Sequence, residues 1–125
     1  TKRRVRLCHV LIIEDEALIA LDLESLLQRE GATSFSFAAS EGEAVAAARE
    51  HRPDIITSDV TLLEGTGPGA VEIIRSAMGR IPVLYISGTP PDCCAGDPLT
   101  QALRKPLDRP AAVVAFQELR RLSCA

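Results

Sequence analysis

Short apolar runs recur along this chain, and each is followed by a polar residue of different chemistry. Glu14-Asp15 follow Val10-Leu11-Ile12-Ile13, Asp59 follows Ile55-Ile56, Ser87 follows Val83-Leu84-Tyr85-Ile86, and Lys105 stands shortly after Leu103. A short run without polar alternation suits a strand buried on both faces, as in a parallel sheet covered by helices. If the runs are strands of one such sheet, three carboxylates, a hydroxyl and an ammonium converge on a single edge.

The segments between the runs have helical spacing. Residues 17–29 place Ile19, Leu23, Leu26 and Leu27 on one face and close at Gly31. Residues 34–38 read as a short second strand. Ser40 with Glu43 three positions on forms a capping box, predicting a helix from 41 to about 51 that stops before Pro53. Residues 54–58 give the third strand. Gly65-Thr66-Gly67-Pro68-Gly69 reads as a flexible loop, followed by a helix with Ala70, Ile73, Ile74 and Ala77 inward.

Pro82 introduces a fourth strand through Ile86, and 101–104 is a short fifth. The last helix opens near Asp108 with Pro110 in its first turn, and carries Ala112, Phe116, Leu119 and Leu122 inward. Pro90-Pro91, Gly96 and Pro98 leave little room for a helix between strands four and five. The expectation is an α/β fold: a doubly wound, five-stranded parallel sheet of flavodoxin-like order 2-1-3-4-5, with a short or absent fourth helix.

With 125 residues, the chain reads as one domain, residues 1–125, able to bury about two-thirds of its unfolded surface without a covalent staple. Three Phe, one Tyr and no Trp give no stacking platform for single-stranded nucleic acid, and a net charge of −3 argues against a duplex-binding surface. The cluster Lys2-Arg3-Arg4-Arg6 reads as a solvated lead-in to the first strand. No apolar run has the length of a membrane span and no signal-peptide pattern opens the chain, so it is read as cytoplasmic. Cys8, Cys93, Cys94 and Cys124 lack metal-ligand spacing, and His9 and His51 read as packing and surface residues.

In open parallel sheets the functional crevice lies beyond the carboxyl ends of the strands, where the strand order reverses. In this order it falls between strands one and three, which deliver Glu14, Asp15 and Asp59. Carboxylates about 4 Å apart repel by roughly 4 kcal/mol per pair at an effective dielectric near 20. A hard dication resolves that repulsion. Mg²⁺ suits, because it takes one or two carboxylates, retained waters and a substrate phosphate. Lys105 adds a compact positive charge and Ser87 a rotatable hydroxyl for phosphoryl oxygens, and Asp59 is the best-placed nucleophile for an acyl phosphate.

At these residues the sequence resembles the receiver domain of bacterial two-component response regulators. The likeness rests on Leu11-Ile12-Ile13-Glu14-Asp15-Glu16, Pro53-Asp54-Ile55-Ile56-Thr57-Ser58-Asp59, Ile86-Ser87-Gly88 and Lys105-Pro106, and spans essentially the whole chain. It implies that Asp59 is the phosphoacceptor and that Glu14, Asp15, Asp59 and the Thr61 backbone carbonyl hold Mg²⁺. It further implies that Ser87 is the switch hydroxyl, that Lys105 binds phosphate, and that the Lys105-Pro106 bond is cis. The implied partner is a histidine kinase or histidine phosphotransfer protein, with a homodimer possible through strand five and the final helix, and no direct contact with nucleic acid or membrane.

The chain departs from the family at three places. Ala102 stands where an aromatic residue usually precedes the lysine by three positions. Leu63 replaces a proline, leaving 61–69 with less backbone restraint, and the segment between Ser87 and Lys105 is short. Pro82-Val83-Leu84-Tyr85-Ile86-Ser87-Gly88 partly resembles a subgroup marked by Phe-Ala-Thr-Gly at this strand, with Tyr85 either a core residue or a stand-in for the missing aromatic. Phosphorylation is expected to draw Ser87 inward and to order residues 89–100. Nothing after Leu122 suggests an output domain, so the chain reads as a stand-alone receiver or one excised from a longer protein. The competing readings are a degenerate receiver used as a docking module and a haloacid-dehalogenase-like phosphohydrolase. The latter needs a second Asp where this chain has Thr61.

Overall fold

The computed structural model describes residues 6–88 and 96–123. Its elements are β1 (His9–Ile13), α1 (Ala17–Arg29), β2 (Ser34–Ala38), α2 (Glu41–Glu50), β3 (Ile55–Ser58), α3 (Gly67–Met78), β4 (Val83–Ser87), β5 (Thr100–Arg104) and α4 (Arg109–Ser123). The strands form one parallel sheet in the predicted order, β2-β1-β3-β4-β5. The described residues between β4 and β5 form no helix. Pro90-Pro91, Cys93, Cys94, Cys124 and Lys2-Arg3-Arg4 lie outside the described residues, as does most of the segment expected to order on phosphorylation.

The unbroken apolar runs follow from burial on both faces. Val10 and Ile12 pack with Leu23 and Leu27 of α1 and Phe116 and Leu119 of α4. Leu11 and Ile13 pack with Ala44 and Ala48 of α2 and Ala70, Val71 and Ile74 of α3. Each such aliphatic side chain contributes about 1.5–3 kcal/mol on full burial, so the central strands are mainly apolar on both faces, although β3 also buries the small polar side chains of Thr57 and Ser58. The charged side chains collect beyond the strand ends.

Local signals explain most helix boundaries. Ser40 Oγ accepts from the Glu43 N–H at 3.2 Å, while Glu43 Oε1 accepts from Ala39 at 2.9 Å, one residue earlier than a capping box requires. Asp108 Oδ1 accepts from the Ala111 N–H at the start of α4. That helix buries Ala112, Ala115, Phe116 and Leu119, whereas Leu122 in its last turn is only partly buried.

The glycine-rich run departs from expectation. Residues 67–69 are the first turn of α3, capped by Thr66, whose Oγ1 accepts from the Gly69 N–H at 3.0 Å. The inward face is Gly67, Ala70, Val71 and Ile74. The predicted Ile73 is 42% exposed and Ala77 is exposed too. The roll of the helix follows from Gly67, where a β-carbon would stand 1.9 Å from the Asp59 carbonyl oxygen. Only the bare α-carbon fits there, which turns 67, 70, 71 and 74 inward together.

The loop before α3 is also more restrained than Leu63 implied. Thr61 and Thr66 form an antiparallel bridge, Gly67 N–H donates to Val60 O, and Glu41 Oε1 accepts from Thr66 N–H at 3.0 Å. Side chains from neighbouring elements do the work expected of a proline.

Arg75 ties the far end of α3 to the entrance of β5. Its guanidinium donates to Ile81 O, Leu99 O, Thr100 Oγ1 and Asp97, and Asp97 also pairs with Arg80. The Thr100 hydroxyl bond, with the Leu99 N–H and the two arginines, holds the Asp97 carboxyl below its usual range despite some desolvation. At the amino end of the sheet His9 is buried, its ring nitrogens 2.6 and 2.7 Å from Ser34 and Ser36 Oγ and its ring stacked 3.5 Å from His51. Burial first, then the charge on His51, lowers its pKa, with Asp54 opposing.

Candidate functional site

β1 and β3 are adjacent and run in register from Val10 and Ile55 to Ile13 and Ser58, so the residues following them meet at the same sheet edge. The Asp59 N–H continues the ladder by donating to Ile13 O at 2.9 Å, and the Glu14 N–H does so toward β2 through Ala38 O at 2.9 Å. Both side chains start from backbone fixed by the sheet. Glu14 is 6% exposed and Asp59 9%.

The carboxylates have distinct partners. Asp59 Oδ1 accepts from the Val60 N–H at 2.7 Å and Oδ2 from Lys105 Nζ at 3.0 Å. Glu14 Oε1 lies 3.1 Å from the same Nζ, and Oε2 accepts from the Glu16 N–H at 3.2 Å. Asp15 is only half-buried. Its Oδ2 accepts from the Leu63 N–H at 3.0 Å, and it has no ion pair among the described residues. One oxygen from each of Glu14, Asp15 and Asp59 lies within 4.8 Å of the others.

Charge and burial compete here. Burial raises the Glu14 pKa above the usual carboxylate value, against the Glu16 N–H and Lys105, with Asp59 adding to the rise. Desolvation works against the Lys105 ammonium, but hydrogen bonds and charge from Asp59 and Glu14 outweigh it and raise its pKa. Lys105 is thus the internal counter-charge of two carboxylates. It is placed by its own N–H, which donates to Ser87 O at 3.0 Å, and it precedes a cis peptide bond to Pro106.

Of the residues singled out in the sequence, Glu14, Asp15, Asp59 and Lys105 make the contacts of the cluster. Ser87 ends β4, buried, and borders the cluster through the Lys105 N–H. Thr61 is exposed at the rim, in its bridge to Thr66. Ala102 lies in register beside Tyr85, which is 3% exposed, and both pack in the α2–α3 core.

Sequence reasoning missed Glu16, 3.8 Å from Lys105 Nζ, and Gly67 and Glu41, which shape the loop beside Asp59. For Gly67 a signal existed: Thr66 before a proline in the first turn is a helix start. Nothing local marks Glu41.

The profile of the response regulator receiver domain matches residues 10–114. The chain is 37% identical over 91 residues to the phyllosphere-induced regulator PhyR of Methylorubrum extorquens, covering 71% of this chain and 34% of that protein. It is 42% identical over 68 residues to the transcriptional regulatory protein PdtaR of Mycobacterium tuberculosis, covering 54% of this chain and 33% of that protein. The chain thus spans about a third of the length of these curated relatives. Among solved structures, the receiver domain of the Erythrobacter litoralis PhyR response regulator superposes with a TM-score of 0.78 at 31% identity, covering 90% of this chain and 89% of that one.

Proposed function

Because the chain belongs to the response regulator receiver domain family, we propose that it is a phosphorylation-dependent signalling module in which Asp59 accepts a phosphoryl group from a histidine kinase or histidine phosphotransfer protein. The observation that carries this reading is the state of Asp59. Its carboxylate is nearly buried, held at one oxygen by the Val60 N–H and at the other by Lys105, beside Glu14 and Asp15.

The donor set fits a hard dication: three carboxylates converge, with no softer ligand among them. Glu14, Asp15, Asp59 and the Thr61 carbonyl are the residues that would hold Mg²⁺. When bound, Mg²⁺ neutralises charge on the phosphoryl oxygens. In the transfer, an Asp59 oxygen attacks phosphorus in line, the new O–P bond forms as the N–P bond to the donor imidazole breaks, and the departing nitrogen keeps the bonding pair and takes a proton. Lys105 follows the charge from carboxylate to phosphoryl, and the Ser87 hydroxyl donates to a phosphoryl oxygen.

The protein on this reading is a cytoplasmic switch that catalyses only its own phosphorylation and dephosphorylation. Intact-mass measurement after incubation with acetyl phosphate and Mg²⁺ tests it. A single phosphoryl adduct is expected on the wild type and none on Asp59→Asn. A label that persists on the variant overturns the assignment of Asp59, and steady phosphate release from small phosphomonoesters overturns the switch in favour of an enzyme.

A further inference from the structure

The peptide unit that follows β3 is gripped at both of its ends. The carbonyl oxygen of Asp59 accepts from Ser58 Oγ at 2.7 Å, and the N–H of Val60, on the same peptide, donates to Asp59 Oδ1 at 2.7 Å. A peptide unit is planar, so a hold on its oxygen fixes the direction of its N–H. Ser58 thereby aims the hydrogen bond that the Asp59 carboxylate receives. With Oδ1 on the Val60 N–H, Oδ2 is left to meet Lys105 Nζ, 3.0 Å away.

This contact is shielded from solvent. Ser58 is 2% exposed, and Gly67, buried at the start of α3, leaves no room for a β-carbon beside either the Asp59 carbonyl oxygen or Ser58 Oγ. Away from water a hydrogen bond is stronger, and a buried acceptor left without one costs more. Space alone does not call for serine here, because alanine is smaller still. What alanine lacks is a donor for the carbonyl that adjoins the carboxylate. The bond from the Val60 N–H to an ionised oxygen is of the stronger, charge-assisted kind, and it weakens steeply once the N–H points away. A tilt of this one peptide therefore frees the carboxylate to turn.

We infer that Ser58 is a positioning residue for phosphoryl transfer: its hydroxyl locks the Asp59-Val60 peptide and so sets the orientation of the Asp59 carboxylate. This role rests on Asp59 being the phosphoacceptor. Ser58 acts through the peptide and is buried away from any donor, so its loss lowers the rate at saturating donor and leaves the donor concentration required unchanged.

The test joins amide spectra to phosphorylation by acetyl phosphate and Mg²⁺ in the wild type, Ser58→Ala and Thr57→Val. Thr57 is the control. Its side chain is buried on the opposite face of β3, and its hydroxyl has no hydrogen-bond partner among the described residues. In the wild type the Val60 amide proton should lie at low field and exchange slowly. In Ser58→Ala it should move upfield and exchange about tenfold faster, while the maximal phosphorylation rate falls about tenfold and half-saturating acetyl phosphate stays within about twofold. Thr57→Val should change none of these. A wild-type Val60 amide in fast exchange overturns the inference whether or not Ser58→Ala folds, which circular dichroism will show. An unmoved Val60 amide or an unchanged maximal rate in folded Ser58→Ala overturns it too, as do equal losses in Thr57→Val, which would mean a general loosening of β3. These outcomes leave Asp59 as the phosphoacceptor, whereas a wild type that forms no adduct overturns that reading and the role of Ser58 together.

Discussion

A β-carbon on Gly67 would stand 1.9 Å from the Asp59 carbonyl oxygen and 2.3 Å from Ser58 Oγ. The first of these is backbone that cannot rotate away, so Gly67→Ala must shift β3 or the start of α3. The expected cost is about 1–3 kcal/mol, and phosphorylation from acetyl phosphate should slow further than stability explains, because the displaced residue is Asp59 itself. An unchanged rate on a folded variant would remove Gly67 from the site. Asp15 presents the opposite case. Among the described residues it has no share in the cation that Glu14 and Asp59 hold, so Asp15→Asn removes repulsion while keeping an acceptor for the Leu63 N–H. The metal-free unfolding midpoint should rise by a few degrees and the rise produced by millimolar Mg²⁺ should shrink, both readable by calorimetry. That Asp59, Glu14, Asp15, Ser87 and Lys105 gather at one end of the sheet was legible in the sequence, because each follows an apolar run and strand ends in a parallel sheet share one edge. Gly67 was misread because its meaning lies in a neighbour's backbone, not in its own freedom to turn.

Among the elements, the loop between β3 and α3 shows how tertiary contacts replace a local signal. Glu41, in the first turn of α2, reaches across to accept from the Thr66 N–H, and the α2 backbone is tied back through Glu41 N–H to Glu64 O. Gly65, at φ +80°, makes this possible. A β-carbon there would be strained and would stand 2.5 Å from Glu41 Cβ. Glu41→Ala should cost about 1 kcal/mol and speed amide exchange across residues 61–66, with exchange in β4 unaffected. Equal exchange in wild type and variant would show that the bridge between Thr61 and Thr66 holds the loop unaided. Strand order and most inward faces followed from periodicity. The α3 face did not, because a 3.6-residue repeat of small and apolar residues fits two rolls of the helix and only the contact at Gly67 selects one.

At the scale of the whole molecule, the two ends of the sheet respond to different signals. The carboxyl end gathers charge, while the amino end buries His9 against Ser34, Ser36 and His51. The folded protein resists a proton on His9 that the unfolded chain accepts, so stability is full above the ordinary value of 6.5 and falls as pH drops from there toward the lowered folded pKa. His9→Gln should flatten the slope of the unfolding midpoint just below pH 6.5 relative to wild type; parallel slopes would assign the loss to other groups. The strand order has a consequence for synthesis. β2, β1 and β3 form a contiguous block from the first half of the chain, and β4 and β5 add in turn at one margin. The carboxylates therefore leave the ribosome before their ammonium, since Lys105 follows Asp59 by 46 residues. A nascent chain that assembles in that order holds its acidic cluster without an internal counter-ion until the last strand arrives. Over that interval the neutralising charge has to come from cations in the surrounding medium.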